Sequence, residues 1–135
     1  MKKKLYLVLV LLLLSLLFIY FSKTEPDKIK KGQYAKINTQ QAKEIMDADV
    51  AFVLLDVREL DEYQEGRISG AILVPYTEIE NSISLIVSDK EMIILVYCRS
   101  GRRSKIAAEL LLSLGYSKVY DMGGIVDWPY EIELE

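Results

Sequence analysis

The chain is 135 residues long, carries a net charge of −3 and contains one cysteine and no histidine, which leaves room for one domain and little else. No cysteine–histidine protease or acyl-transfer dyad can be built from it. A zinc site lacks its usual ligands, and the single cysteine forms no internal disulfide and needs a partner thiol for any dithiol cycle. From Glu25 onward, 13 Lys and Arg (the chain's 17 less Lys2, Lys3, Lys4 and Lys23) face all 20 acids, a net of −7. An acidic domain of this kind is a poor match for nucleic acid, whose phosphates demand a basic face.

Lys2, Lys3 and Lys4 are followed by Leu5 to Phe21, an uncharged run interrupted only by Ser15 and two tyrosines. Such a run targets the membrane and stands apart from the fold. It exceeds the usual signal-peptide core and approaches the roughly 20 residues of a comfortable span. Ser22-Lys23-Thr24 offers no alanine-type cleavage site, and no cysteine follows for lipid attachment. The leading reading is an uncleaved signal anchor, with a cleaved signal peptide second. In both, the positive-inside bias leaves the rest of the chain outside the cytoplasmic membrane, anchored in the cell envelope in the first case and secreted in the second. Residues 1–24 are therefore assigned to targeting, 25–32 to a charged, Pro26-containing linker, and 33–135 to the folded domain.

Within that domain Tyr34-Ala35-Lys36-Ile37 reads as a first strand, and Thr39 as the N-cap of a helix carrying Ala42, Ile45 and Met46. Ala51 to Leu55 is an apolar run of strand length ending at Asp56. Ile72-Leu73-Val74 reads as a buried strand stopped by Pro75, and Ser82 to Val87 fits a helical turn. Ile93 to Tyr97 reads as a strand buried on both faces. After it, Ile106, Ala107, Leu110, Leu111 and Leu114 recur at helical spacing, with Gly115 at the C-cap glycine position. Lys118 to Met122 is a last strand before Gly123-Gly124. Strands alternating with helices predict an α/β fold with a mainly parallel sheet of about five strands flanked by helices.

The chemistry concentrates in Cys98-Arg99-Ser100-Gly101-Arg102-Arg103-Ser104, the turn between the buried strand and its helix. In open parallel sheets, ligands bind outside the carboxyl ends of the strands. A loop from Cys98 to Arg103 entering a helix can turn its amides toward a common centre, where the helix dipole adds positive charge. Such a cradle favours the thiolate, the nucleophilic form of cysteine, and attracts an oxyanion. A single cysteine is most often a small buried hydrophobe, but the glycine, serine and three arginines around this one argue against a core position. Three cations beside a positive helix end are easiest to understand with an anion among them, and sequence does not say which points inward.

This loop resembles the active-site loop of rhodanese-homology domains, and the resemblance extends further. Asp56-Val57-Arg58-Glu59 with Glu62-Tyr63, then Glu65 to Ala71 and Val74-Pro75-Tyr76, are similar to the family's first signature. Gly123-Gly124-Ile125 with Trp128-Pro129 is similar to its closing one. Together these blocks cover roughly Tyr34 to Tyr130. Arg67 departs from the pattern, standing where the family often has histidine.

The resemblance implies a sulfurtransferase with Cys98 as catalytic nucleophile. Arg99, Ser100, Gly101, Arg102 and Arg103 bind substrate, and Asp56, Arg58 and Ser104 support the site. Asp56 and Arg58 are read first as a structural ion pair, Trp128 as packing, and Gly123 and Gly124 as turn residues needing unusual backbone angles. The implied donor is thiosulfate or a similar sulfane. The implied acceptor is cyanide or a thiol, including one on a protein, and no metal or organic cofactor takes part. Two other classes stay open: a membrane-tethered noncatalytic binding or redox-sensing module, and a cysteine-dependent phosphatase or arsenate reductase. The usual loop of the latter places five residues between cysteine and arginine, whereas four separate Cys98 from Arg103.

Overall fold

The computed structural model describes Tyr6, Val8, residues 10–16 and residues 34–134. Of the expected membrane segment, the described residues are helical. Among the described residues no helix is long and apolar enough to cross a membrane. The linker expected over 25–32 lies outside them, as do residues 17–24.

Five strands, β1 (Ala35–Lys36), β2 (Phe52–Asp56), β3 (Ile72–Leu73), β4 (Ile93–Cys98) and β5 (Lys118–Gly124), form one sheet in the order β1-β5-β4-β2-β3. Every pairing between them is parallel. Four helices connect them: α1 (Thr39–Asp47), α2 (Leu60–Glu65), α3 (Ile79–Ile86) and α4 (Arg102–Ser113). The apolar run of β4 reflects its central place, with a strand on each side and a core on each face. Ile94, Val96 and Cys98 join a core with Ile79 and Ile83 of α3 and Ala107, Ala108 and Leu111 of α4. Leu95 and Tyr97 join a second core with Ala42 of α1, Leu54, Ile68 and Met122. The strand period of two thus turns the cysteine toward the α4 side.

Several local expectations are corrected. Asn38, not Thr39, caps α1: its side chain accepts the Gln41 amide at 2.8 Å, and the Gln41 side chain accepts the Asn38 amide at 3.0 Å. This reciprocal pair satisfies two amides that the helix start leaves open. β3 is an edge strand and leaves Ile72 41% exposed, so it is not buried as its composition suggests. α3 begins at Ile79, before the expected turn. The short α2 carries no apolar stripe and no buried residue, which is why periodicity passes over it. At the end of α4, Gly115 (φ 94°) lies one residue beyond the cap Leu114. The amides of Gly115 and Tyr116 reach back to the Leu112 and Leu111 carbonyls, the paired bonds of a glycine-terminated helix.

Candidate active site

The site is built where three parallel strands end together. β4 lies between β2 and β5, with Tyr97 opposite Asp56 on one side and Cys98 opposite Gly124 on the other. The β4–β5 register slips between Val96, opposite Asp121, and Tyr97, opposite Gly123. A bulge therefore brings the Gly123-Gly124 pair level with the cysteine. The buried Asp121 carboxylate accepts the Gly123 amide at 2.9 Å, and Gly123 adopts a left-handed φ of 82°. Gly124 is glycine for another reason than the one expected. Its φ is an ordinary −109°, but a Cβ there would lie 2.2 Å from the Arg99 carbonyl oxygen and 2.7 Å from Ser100 Cα.

Contrary to the expectation from its polar neighbours, Cys98 is 1% exposed and packs in the α4-side core, because its own loop folds over it. Its Sγ accepts a hydrogen bond from the Gly101 amide at 3.1 Å, so the loop curls back over the sulfur. Gly101 (φ 97°) is the N-cap of α4 and supplies no capping side chain. The expected loop is shorter than its composition suggested, because Arg102 and Arg103 already belong to the first turn of α4. That turn contains no acid, so the positive helix end is left for a negative group at the sulfur. The buried Ser104 hydroxyl donates to the Gly101 carbonyl at 3.1 Å and lies 3.3 Å from the Gly123 carbonyl. It thereby ties the loop to the bulge.

The three loop arginines have different settings. The Arg103 guanidinium donates to both carboxylate oxygens of Glu62, at 2.6 and 2.8 Å. These bonds raise the Arg103 pKa. They hold the Glu62 carboxyl down from the ordinary 4.5 to about 2, against the opposing effect of burial. Arg99 and Arg102 are exposed, as is Ser100. Glu62 belongs to the signature block that begins at the end of β2, but its role as the partner of Arg103 is not readable from the sequence. Its partner lies 41 positions away, and the one local signal is a pair of arginines at a helix start without a counter-charge.

Asp56 and Arg58 form a buried pair, bonded through Arg58 Nη2 at 2.6 Å and Nε at 2.9 Å. Arg58 also donates to the Gly66 carbonyl at 2.7 Å. Burial pulls the Arg58 pKa down, and the bonds and charge of Asp56 more than reverse this. Burial, then the Asp56 carboxylate, pushes the Tyr97 hydroxyl far above the usual tyrosine range. That hydroxyl stays protonated and accepts the Ile68 amide at 3.1 Å. This network joins the end of β2 to residues 66–68 and makes one wall of a cleft of about 330 Å³, lined also by Glu62, Arg99, Val126, Trp128 and Ile132. Among the described residues no group of His, Cys, Asp or Glu is gathered as for a metal ion.

A thiol curled under a loop at the carboxyl end of a central parallel strand defines a class, and residues 38–130 match the family described as Rhodanese-like domain. The chain belongs to the rhodanese-like sulfurtransferase family. It is 40% identical over 73 residues to thiosulfate sulfurtransferase PspE of Escherichia coli (strain K12), covering 54% of this chain and 70% of that protein. It also resembles the solved structure of a rhodanese with anions from E. coli, with TM-score 0.60 and 35% identity over 63% of this chain and all of that one. A tRNA uridine(34) hydroxylase of Protochlamydia amoebophila (strain UWE25) is 30% identical over 109 residues, but there the chain spans only 33% of the relative.

Replacing Glu62 by Gln tests the pairing directly. A carboxylate held below its unfolded value stabilises the fold fully above about pH 4.5, and the contribution is lost as pH falls toward 2. The variant is therefore expected to lose about 1 to 3 kcal/mol at neutral pH, allowing for partial solvent screening. Urea unfolding from pH 7 to 2.5 should show the two proteins converging at the acid end. A constant gap would mean that the pair does not titrate as described.

Proposed function

We propose that the protein moves a sulfane sulfur through a persulfide on Cys98. The observation that carries this reading is the Cys98 Sγ, seated at the end of β4 against the Gly101 amide beside a helix start with no acid of its own. The Cys98 thiolate attacks the outer sulfur of thiosulfate; its electron pair forms the new S–S bond while the old one breaks and sulfite leaves. Cys98 then carries a terminal sulfur with one negative charge, met by the loop amides and the helix dipole. Arg103 is held by Glu62, so Arg99 and Arg102 are the cations left to meet the donor's anionic end. Cyanide or a thiolate attacks the terminal sulfur, departs as thiocyanate or a persulfide, and returns the Cys98 thiolate. No outside oxidant is needed.

The same geometry argues against the phosphatase reading. An arginine committed to a carboxylate by both nitrogens is not available to clamp a transferred phosphoryl group. Steady-state kinetics with thiosulfate and cyanide should give the parallel double-reciprocal lines of a two-step exchange, with no turnover of an aryl phosphate. Intersecting lines, or hydrolysis without sulfur transfer, would contradict the proposal, and inertness toward every sulfane donor would favour a binding module.

A further inference from the structure

The acidic segment from Tyr130 onward lines the cleft beside Arg99 through Tyr130 and Ile132. Glu133 pairs with Arg67 in an antiparallel bridge, with Arg67 N to Glu133 O at 2.9 Å and Glu133 N to Arg67 O at 2.8 Å. The Glu133 carboxylate accepts from Ser69 Oγ at 2.5 Å and lies 3.5 Å from Arg67 Nε. Arg67 in turn covers the Tyr63 ring at 4.7 Å. The bridge lays the tail on Gly66, where a Cβ would meet Ile132 Cδ1 at 3.0 Å and Leu134 Cδ2 at 3.1 Å. Tyr130 and Ile132 then line the same cleft as Arg99, the residue after the nucleophile, and Val126. Cys98 itself is 1% exposed.

We infer that residues 130–134 form a strap that limits the size of molecule reaching Cys98, with Glu133 as its latch. The strap favours small acceptors, such as cyanide or a low-molecular-weight thiol, over a thiol on a folded protein. This deepens the sulfur-transfer reading and rests on it, so access to the thiol is measured apart from activity. Cys98 is the chain's one cysteine, which makes alkylation a clean probe. Small and bulky reagents must both wait for the Cys98 loop to open, since the thiol is 1% exposed, but only a bulky one also needs the strap to move aside. A latch worth one or two net hydrogen bonds changes the open population about tenfold.

The test compares the full chain, Glu133→Ala and a chain ending at Tyr130, each checked by thermal melting. Two neutral reagents are used, iodoacetamide and a maleimide on a long polyethylene glycol. The maleimide rate should rise about tenfold in Glu133→Ala, through the weakened latch, and further in the truncated chain, while iodoacetamide changes less than about twofold in either. Glu133 is exposed, so its variant decides the matter even if the truncated chain unfolds. In parallel, kcat/KM for a protein thiol relative to cyanide should rise in the same order. Equal maleimide rates in wild type and variant overturn the strap, whatever the activity. Ordered alkylation rates in a chain that never gains sulfur from thiosulfate overturn the transfer reading alone.

Discussion

Cys98→Ser is expected to lower sulfur transfer by about 10⁴-fold or more, because the step that stores the sulfur needs a nucleophile that is already an anion. Serine in this chain has no histidine to activate it, and a hydroxyl cannot carry a sulfane sulfur. The substitution is otherwise mild. Oxygen can accept the Gly101 amide that Sγ now accepts at 3.1 Å, so the variant should fold with a stability change below about 1.5 kcal/mol. That separation of activity from stability is the useful feature of the experiment. A serine variant that unfolds says nothing about mechanism, whereas one that folds and retains transfer removes Cys98 from the chemistry.

The second large effect is expected at a residue with no functional group. Gly124→Ala puts a methyl where the Arg99 carbonyl oxygen would be 2.2 Å away, and neither side of that contact is a flexible side-chain end. Either β5 or the Cys98 loop must move, and Cys98 is paired in register with Gly124. A displacement of about 1 Å at the reacting group costs on the order of 10²-fold in rate, and overpacking of this kind costs about 1 to 3 kcal/mol. Gly115→Ala is the control. Unlike Gly124 it occupies a left-handed position, at φ 94°, but a Cβ there meets nothing within 4 Å. It should cost about 1 kcal/mol in stability and leave transfer untouched. Equal activity losses in the two variants would show that general destabilisation, not closeness to the loop, sets the effect.

These expectations draw on features that were unequally legible in the sequence. The β4 strand, its cysteine and the helix α4 could be read because each rests on local signals: a β-branched run, a polar arginine-rich turn, and apolar residues at helical spacing ended by a glycine. The Asp56–Arg58 pair was legible as an ion pair because its two members are neighbours. Arg103 was read as a substrate contact because its partner Glu62 sits on α2, a helix without an apolar stripe. The role of Gly124 depends on a register slip in β5 that no residue type announces. Even less visible was the use of the carboxyl terminus, which as a string is only short and acidic. Its meaning comes from the pairing of Glu133 with Arg67, the position read above as a departure from the family's pattern.

Intact-mass spectrometry of the full chain before and after thiosulfate, with Cys98→Ser treated alongside, reads the persulfide on Cys98 itself. The proposed mechanism predicts a gain of one sulfur atom in the wild type alone, lost again on addition of cyanide. A wild-type protein that is reduced and alkylatable at Cys98 yet gains no sulfur from thiosulfate or any other sulfane donor would contradict it.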